Sequence, residues 1–227
     1  MMNWWLANYV DWYGAHFAIA WVLWVIISIT LHELAHGWVA IRCGDDVPIH
    51  SGHMTWNPLV HIPFPHAWIM FALFGFTWGL MPTNPANYNR RYDDARVAFA
   101  GPAMNALLAA ACLAADAAWL TFARGVPEPM QAIIHTILWT GMVINLTGFL
   151  FNLVPVPPLD GSHIASDLIP AYRRMLGSEG GQMGGMIALA ALFFFGSKYI
   201  WMFVFSGTDF AIKRATMLLG GEYRPPF

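Results

Sequence analysis

The chain has 227 residues, 58% of them hydrophobic and 11% charged; an average soluble domain carries roughly 25% charged residues, so an ordinary water-facing surface is excluded. Eleven Lys and Arg against thirteen Asp and Glu leave a formal charge of -2, which provides no basic field to hold a nucleic-acid backbone by counterion release. Cys43 and Cys112 are the only cysteines, too few for a disulfide scaffold or a Cys-rich structural zinc site.

Several uncharged stretches reach the about 20 apolar residues that a bilayer-crossing helix needs. The first, 12–32, has no basic residue before it, since the first Lys or Arg is Arg42, and this argues against a cleaved signal peptide. Segment 15–41 is apolar all round and is expected to be a lipid-embedded helix, with His32, Glu33 and His36 in its far half. Residues 42–65 break that pattern with Gly44, Pro48, Gly52, Pro58, Pro63 and Pro65 and read as loops and short strands. Segment 66–81 is apolar but short, and its Gly75, Gly79 and following Pro82 and Pro85 suggest a re-entrant piece.

Segment 95–123 is expected to span, its many small residues letting another helix pack closely; Asp116 near its far end is expected to contact the interface. Segment 130–151 should span as well and then enter a stretch where Pro155, Pro157 and Pro158 forbid a regular helix, so an extended segment is expected there. A last apolar segment, 182–205, is interrupted by Gly196 and Lys198, and the remainder to 217 is a further crossing or a surface helix. The expected fold is an all-α polytopic membrane protein of four to five transmembrane helices, with a re-entrant segment and short strands after the first of them. A single membrane-embedded domain over 1–227 accounts for the chain.

His32-Glu33-Leu34-Ala35-His36 sets two imidazoles four residues apart, on one face of a helix, where both can ligate a single zinc. Zinc lowers the pKa of a bound water towards about 7, and a neighbouring glutamate can take its proton as the water attacks a carbonyl. Ionisable residues within a membrane helix are costly and point to function. A catalytic zinc takes three protein ligands and one open position. The acids available are Asp45, Asp46, Asp93, Asp94, Asp116 and Asp160. Asp160 is the best third ligand, because only it sits in a proline-broken segment joined to an apolar helix, and irregular backbone at membrane depth belongs where it lines a cavity. Two other functions fit such a chain: a non-proteolytic membrane protein that binds or transports metal, and a structural membrane subunit. Glu33 discriminates, since a carrier gains nothing from a base beside its first ligand and a hydrolase needs one.

These residues resemble the site-2 proteases, zinc intramembrane metalloproteases, and in particular their short branch without a PDZ domain. That family pairs an HExxH helix with a later N-x-x-P-x-P-x-x-D-G segment, matched here by His32 to His36 and by Asn152, Pro155, Pro157, Asp160 and Gly161. The branch's T-x-N-P-x-x-H-I and A-G-P-x-x-N stretches are matched by Thr55, Asn57, Pro58, His61 and Ile62, and by Ala100 to Pro102 with Asn105. The chain departs from it at Gly52-His53, where a Gly-Arg pair is usual, and keeps a Gly-Trp-x-Lys-Pro stretch only loosely as Trp78 to Pro82. The resemblance implies one Zn2+ per chain held by His32, His36 and Asp160, Glu33 as the general acid/base, and Asn152 in contact with the substrate or the oxyanion. It implies a partner too: a membrane protein whose transmembrane helix unwinds in the lipid bilayer. The stretches 50–57 and 152–160 are expected to hold that substrate as an added strand.

Zinc ligands must lie at one depth, so the helices carrying His36 and leading to Asp160 should run in the same direction with one crossing between them. Segment 66–81 is then re-entrant, and Arg42, Arg90, Arg91, Arg173 and Arg174 share one face with Arg124 opposite. The positive-inside rule gives an extracytoplasmic N-terminus and an active site nearer the cytoplasm of a prokaryotic cell membrane. His50, His53, His61 and His66 are read as hydrogen-bonding loop residues, His135 and His163 as packed ones, and Asn105 as either a helix-packing or a site residue.

Overall fold

The structure, a computed structural model, describes residues 4–123 and 125–226; Arg124, expected on the face opposite the other arginines, lies outside them. In chain order the α-helices are α1 (Trp5–Tyr13), α2 (Ala15–Arg42), α3 (Val47–His50), α4 (Pro58–His61), α5 (His66–Phe74), α6 (Asp93–Phe122), α7 (Glu128–Asn152), α8 (Asp160–Leu168), α9 (Pro170–Leu176), α10 (Glu179–Ala191) and α11 (Ser197–Leu218). Among the described residues there is no strand.

Four helical runs are long and apolar enough to cross a membrane: α2, α6, α7 and the continuous stretch Glu179–Leu218. At about 1.5 Å per residue, α2, α6 and α7 each exceed a hydrocarbon core of about 30 Å, having 28, 30 and 25 residues. Helix α5 has 9 residues, about 14 Å, and is too short to cross. It stops at Gly75, a left-handed cap at φ 76°, and Trp21 of α2 donates its indole N–H to the Gly75 carbonyl at 2.7 Å. The protein is therefore an all-helical multi-pass membrane protein. Helices α2, α6 and α7 pack on one another around Phe17, Trp21 and Val25, spaced every four residues on α2, with Cys112, Trp139 and Val143.

The last apolar segment does not break at Gly196. The helix widens into a π-helical turn at Leu192–Gly196, which absorbs the irregularity without interrupting the backbone ladder. Helix α11 then lays Val204, Thr208, Ile212 and Thr216 against α6 and α7, whereas α10 packs mainly on the short α9.

The short strands expected after α2 are replaced by two single-turn helices. Pro48 and Pro58 sit at the start of α3 and α4, where a fixed φ and a missing N–H suit a helix. Asn57 caps α4 by accepting from the Leu59 N–H at 3.1 Å. The extended stretch expected after Asn152 is likewise absent. The Val154, Val156 and Leu159 N–H groups reach back two or three residues to Phe151, Val154 and Val156 carbonyls, so the prolines coil the chain into tight turns.

At the far end from the HExxH motif, Asp116 is fully buried within the protein. Its carboxylate oxygens lie 2.8 and 2.9 Å from His135 Nδ1, and His135 Nε2 meets the Arg224 carbonyl at 2.9 Å. Asp209 on α11 accepts from the Trp139 indole N–H and the Tyr223 hydroxyl, each at 2.8 Å. The segment following α11 is thus tied into the bundle by buried polar groups. Asp116→Leu strands His135 and is expected to cost about 3–5 kcal/mol, whereas Asp116→Leu combined with His135→Leu should recover most of that loss. Thermal unfolding in detergent checks both, and equal damage from the single and double variants contradicts the pairing.

Candidate metal centre

One turn of α2 separates His32 from His36, so both rings leave the same face. Glu33, His32 and His36 are only 7–8% exposed. The two Nε2 atoms lie 3.0 Å apart. Asp160 enters from the first turn of α8, its Oδ2 3.1 Å from His32 Nε2 and its Oδ1 3.5 Å from His36 Nε2. Two ligand atoms on a tetrahedral zinc at about 2.0–2.1 Å are themselves about 3.3 Å apart, and the observed separations bracket that value. Among the described residues, His32, His36 and Asp160 are the group of His, Cys or acidic side chains placed to hold a metal ion.

Three local features fit a cation at this point. Asp160 Oδ2 is buried and has no hydrogen-bond partner, an orphaned acceptor of the kind a metal satisfies. The two Asp160 carboxylate oxygens lie 3.1 and 3.5 Å from the His32 and His36 Nε2 atoms, so an acidic donor faces two imidazole nitrogens across a gap of metal-ligand size. Gly101 on α6 faces the histidines, and a Cβ there would lie 2.3 Å from His36 Nε2 and 2.4 Å from His32 Nε2, so the absence of a side chain keeps the space between the donors open. Two imidazoles and a carboxylate are a donor set that zinc accepts with its fourth position left over.

The surroundings orient each donor. His36 Nδ1 lies 2.7 Å from the Val97 carbonyl, and His32 Nδ1 lies 2.6 Å from Asn105 Oδ1. Asp160 is brought in by the turn that follows α7. A Cβ on Gly161 would lie 2.4 Å from the Leu153 carbonyl oxygen, so only glycine lets α8 start this close to that turn. The irregular piece after α5 passes over Glu33: a Cβ on Gly79 would lie 2.3 Å from Glu33 Oε1. Its neighbour Leu80 donates its N–H to the His61 carbonyl at 2.8 Å.

The sequence-predicted residues His32, Glu33, His36 and Asp160 are brought together. Asn152 sits on the last turn of α7, half-buried, with its amide bonded back to the Gly148 carbonyl at 3.0 Å, and it makes no hydrogen bond to any of those four. Of the other acids weighed as third ligand, Asp45 accepts from the Asn84 N–H and the Asn87 amide at 2.7 Å each, and Asp93 pairs with Arg96 at 2.9 Å. His61 is fully buried and bonds the Thr55 carbonyl through Nε2 at 2.7 Å, and His53 turns to Ser51 at 3.0 Å. Sequence reasoning did not assign Gly79 or Gly101 a role and left Asn105 open. The A-G-P-x-x-N stretch that carries Gly101 and Asn105 was the available signal.

Residues 20–121 and 120–196 match Peptidase family M50. The chain belongs to that metallopeptidase family. It is 32% identical over 196 residues to the "Putative zinc metalloprotease YwhC" of Bacillus subtilis, covering 85% of this chain and 89% of that protein. It is 28% identical over 202 residues to the "Putative zinc metalloprotease Rip2" of Mycolicibacterium smegmatis, covering 81% and 73%. The protein of the same name from Mycobacterium tuberculosis is also 28% identical, over 221 residues, covering 86% and 76%. No solved structure matches the chain significantly. The site-2 protease resemblance of the motifs and the M50 match thus agree, and the matched residues contain every member of the His32, Glu33, His36 and Asp160 cluster.

Proposed function

We propose that this M50 protein is an intramembrane zinc endopeptidase that hydrolyses peptide bonds in or near transmembrane segments of other membrane proteins. The observation that carries the reading is a base, Glu33, lying in sequence between the two histidines of a three-donor cluster, on a helix long and apolar enough to cross a membrane. His32, His36 and Asp160 hold one zinc per chain. Zinc, when bound, supplies Lewis acidity to the attacking water and to the scissile carbonyl.

Glu33 takes the proton of the attacking water and returns it to the leaving amine. The carboxylate is held under Gly79, and the irregular piece around that glycine covers the base against bulk solvent. A substrate helix must unwind before its carbonyl can reach this position, because a helical carbonyl is already hydrogen bonded. Asn152, at the mouth of the turn leading to Asp160, contacts the substrate chain or the oxyanion.

Orientation follows from charge. Asn89 of the arginine-bearing loop bonds Cys43 just after α2 at 2.9 Å, and Arg173 pairs with Asp167, which also accepts from the Ala95 N–H of α6. Arg42, Arg90, Arg91, Arg173 and Arg174 therefore gather at the end of the bundle that holds the cluster, and they outnumber Lys213, Arg214 and Arg224 at the opposite end. The positive-inside rule then sets the cluster nearer the cytoplasm of a prokaryotic cell membrane.

The test is elemental analysis of detergent-purified protein together with cleavage of membrane-embedded reporter segments in proteoliposomes. Wild type is expected to hold one zinc and to cut; Asp160→Ala is expected to lose both. A wild type that binds no zinc after resupply overturns the reading, and zinc retained at full affinity by Asp160→Ala removes Asp160 from the ligand set.

A further inference from the structure

Asn145 and Asn105 are buried in the middle of the bundle, 0% and 3% exposed, where polar side chains are expensive unless paired. Their pairing has a direction. Asn145 Nδ2 donates to the Gly141 carbonyl one turn back on α7 at 2.9 Å. A carbonyl only accepts, so that end of the Asn145 amide is the NH2 and its Oδ1 faces the other way. There it accepts from Asn105 Nδ2 on α6 at 3.0 Å, which turns Asn105 Oδ1 towards His32. An amide oxygen also only accepts, so His32 Nδ1, 2.6 Å away, carries the proton of the neutral imidazole. Nε2 is left with its lone pair, aimed at His36 Nε2 and Asp160.

We propose that Asn105 and Asn145 are positioning residues for the zinc: a one-way hydrogen-bond relay, started by a backbone carbonyl of α7, locks His32 in the tautomer and ring orientation that bind metal. The proposal rests on the zinc reading above. His36 reaches the same state by a shorter route, through the Val97 carbonyl. Gly148 lets α7 close on the relay, since a Cβ there would lie 3.2 Å from the Asn105 amide, so that amide has little room to turn over. Outer partners of this kind are worth about 10–100-fold in metal affinity. The relay also explains why two asparagines, poor residues for a helix interior, sit inside adjacent membrane helices.

Asparagine and leucine are close in size, and asparagine and aspartate share the acceptor, so two substitutions separate positioning from packing. Zinc affinity is measured by chelator competition on detergent-purified wild type, Asn105→Leu, Asn105→Asp and Asn145→Leu, with thermal unfolding recorded in parallel. Asn105→Leu should bind zinc about 10–100-fold more weakly. Asn105→Asp, whose carboxylate still accepts from His32 Nδ1, should stay near wild type, and Asn145→Leu should fall between. A helix-packing role gives the reverse order, with leucine tolerated and the buried aspartate damaging, and that order overturns the proposal. If Asn105→Leu fails to fold, Asn105→Asp decides: near-normal zinc binding supports the relay and its loss overturns it. Wild type that binds zinc while all variants match it overturns the relay alone, whereas wild type that binds none overturns the zinc reading and the relay with it.

Discussion

Glu33→Gln is expected to lower cleavage by about 10²–10⁴-fold, the usual contribution of a positioned general acid/base, while the protein keeps its zinc. Glutamine has the same shape and the same room beneath Gly79, where a Cβ would otherwise meet Glu33 Oε1. It accepts hydrogen bonds but cannot take a proton from water. The group placed to hold a metal ion consists of His32, His36 and Asp160 without Glu33, so the substitution leaves all three donors in place. Neither His32 nor His36 depends on Glu33 for orientation, because Asn105 and the Val97 carbonyl hold their Nδ1 atoms. Metal content and turnover should therefore separate in this variant and fall together in Asp160→Ala. Zinc by elemental analysis beside the rate on a membrane-embedded reporter makes the comparison, and a Glu33→Gln variant that cleaves at the wild-type rate removes Glu33 from the chemistry.

Metal ligation needs particular side chains at a particular helical spacing, which is why His32, Glu33 and His36 stand out as candidates in the sequence. Asp160 was legible for another reason: among the acids it alone combined a broken backbone with an adjoining apolar helix. The spans around α2, α6 and α7 followed from apolar length, which the bilayer imposes directly. Residues 42–65 read as loops and short strands, and 152–160 as extended, because proline and glycine exclude a long helix. Those residues do not say whether the chain then extends or coils, and Pro48, Pro58 and Asn57 chose single helical turns. The continuity of α10 into α11 through Leu192–Gly196 was hidden by the same ambiguity, since a glycine can mark either a break or a widened turn. Nothing in the sequence pairs Asp116 with His135, and only the approach of α7 places the two together. Gly79, Gly101 and Asn105 depend on which backbone comes close to α2, a property of packing between segments far apart in the chain.

Gly101→Ala is expected to abolish zinc binding, with at least about a 100-fold loss of affinity, although helix propensity alone predicts the opposite direction of benefit. Exchanging glycine for alanine inside a helix such as α6 normally stabilises it by about 1 kcal/mol. Here the added methyl would sit 2.3 and 2.4 Å from the two ligand nitrogens, far inside a van der Waals contact of about 3.5–4.0 Å. The rings cannot retreat freely, since Val97 and Asn105 hold them from behind. Relief must come from displacing the donors from convergence, which removes the metal site while the helix itself remains intact. Gly79→Ala provides the counterpart, because the three atoms its methyl would meet most closely all belong to Glu33, the nearest being Oε1 at 2.3 Å. That variant should retain zinc and lose turnover by a factor similar to Glu33→Gln. One methyl group therefore reads out metal binding from α6 and proton transfer from the piece that covers the base. Zinc analysis, thermal unfolding and reporter cleavage on the two variants test the separation; a Gly101→Ala protein that keeps full zinc affinity would show that the metal does not lie between His32 and His36.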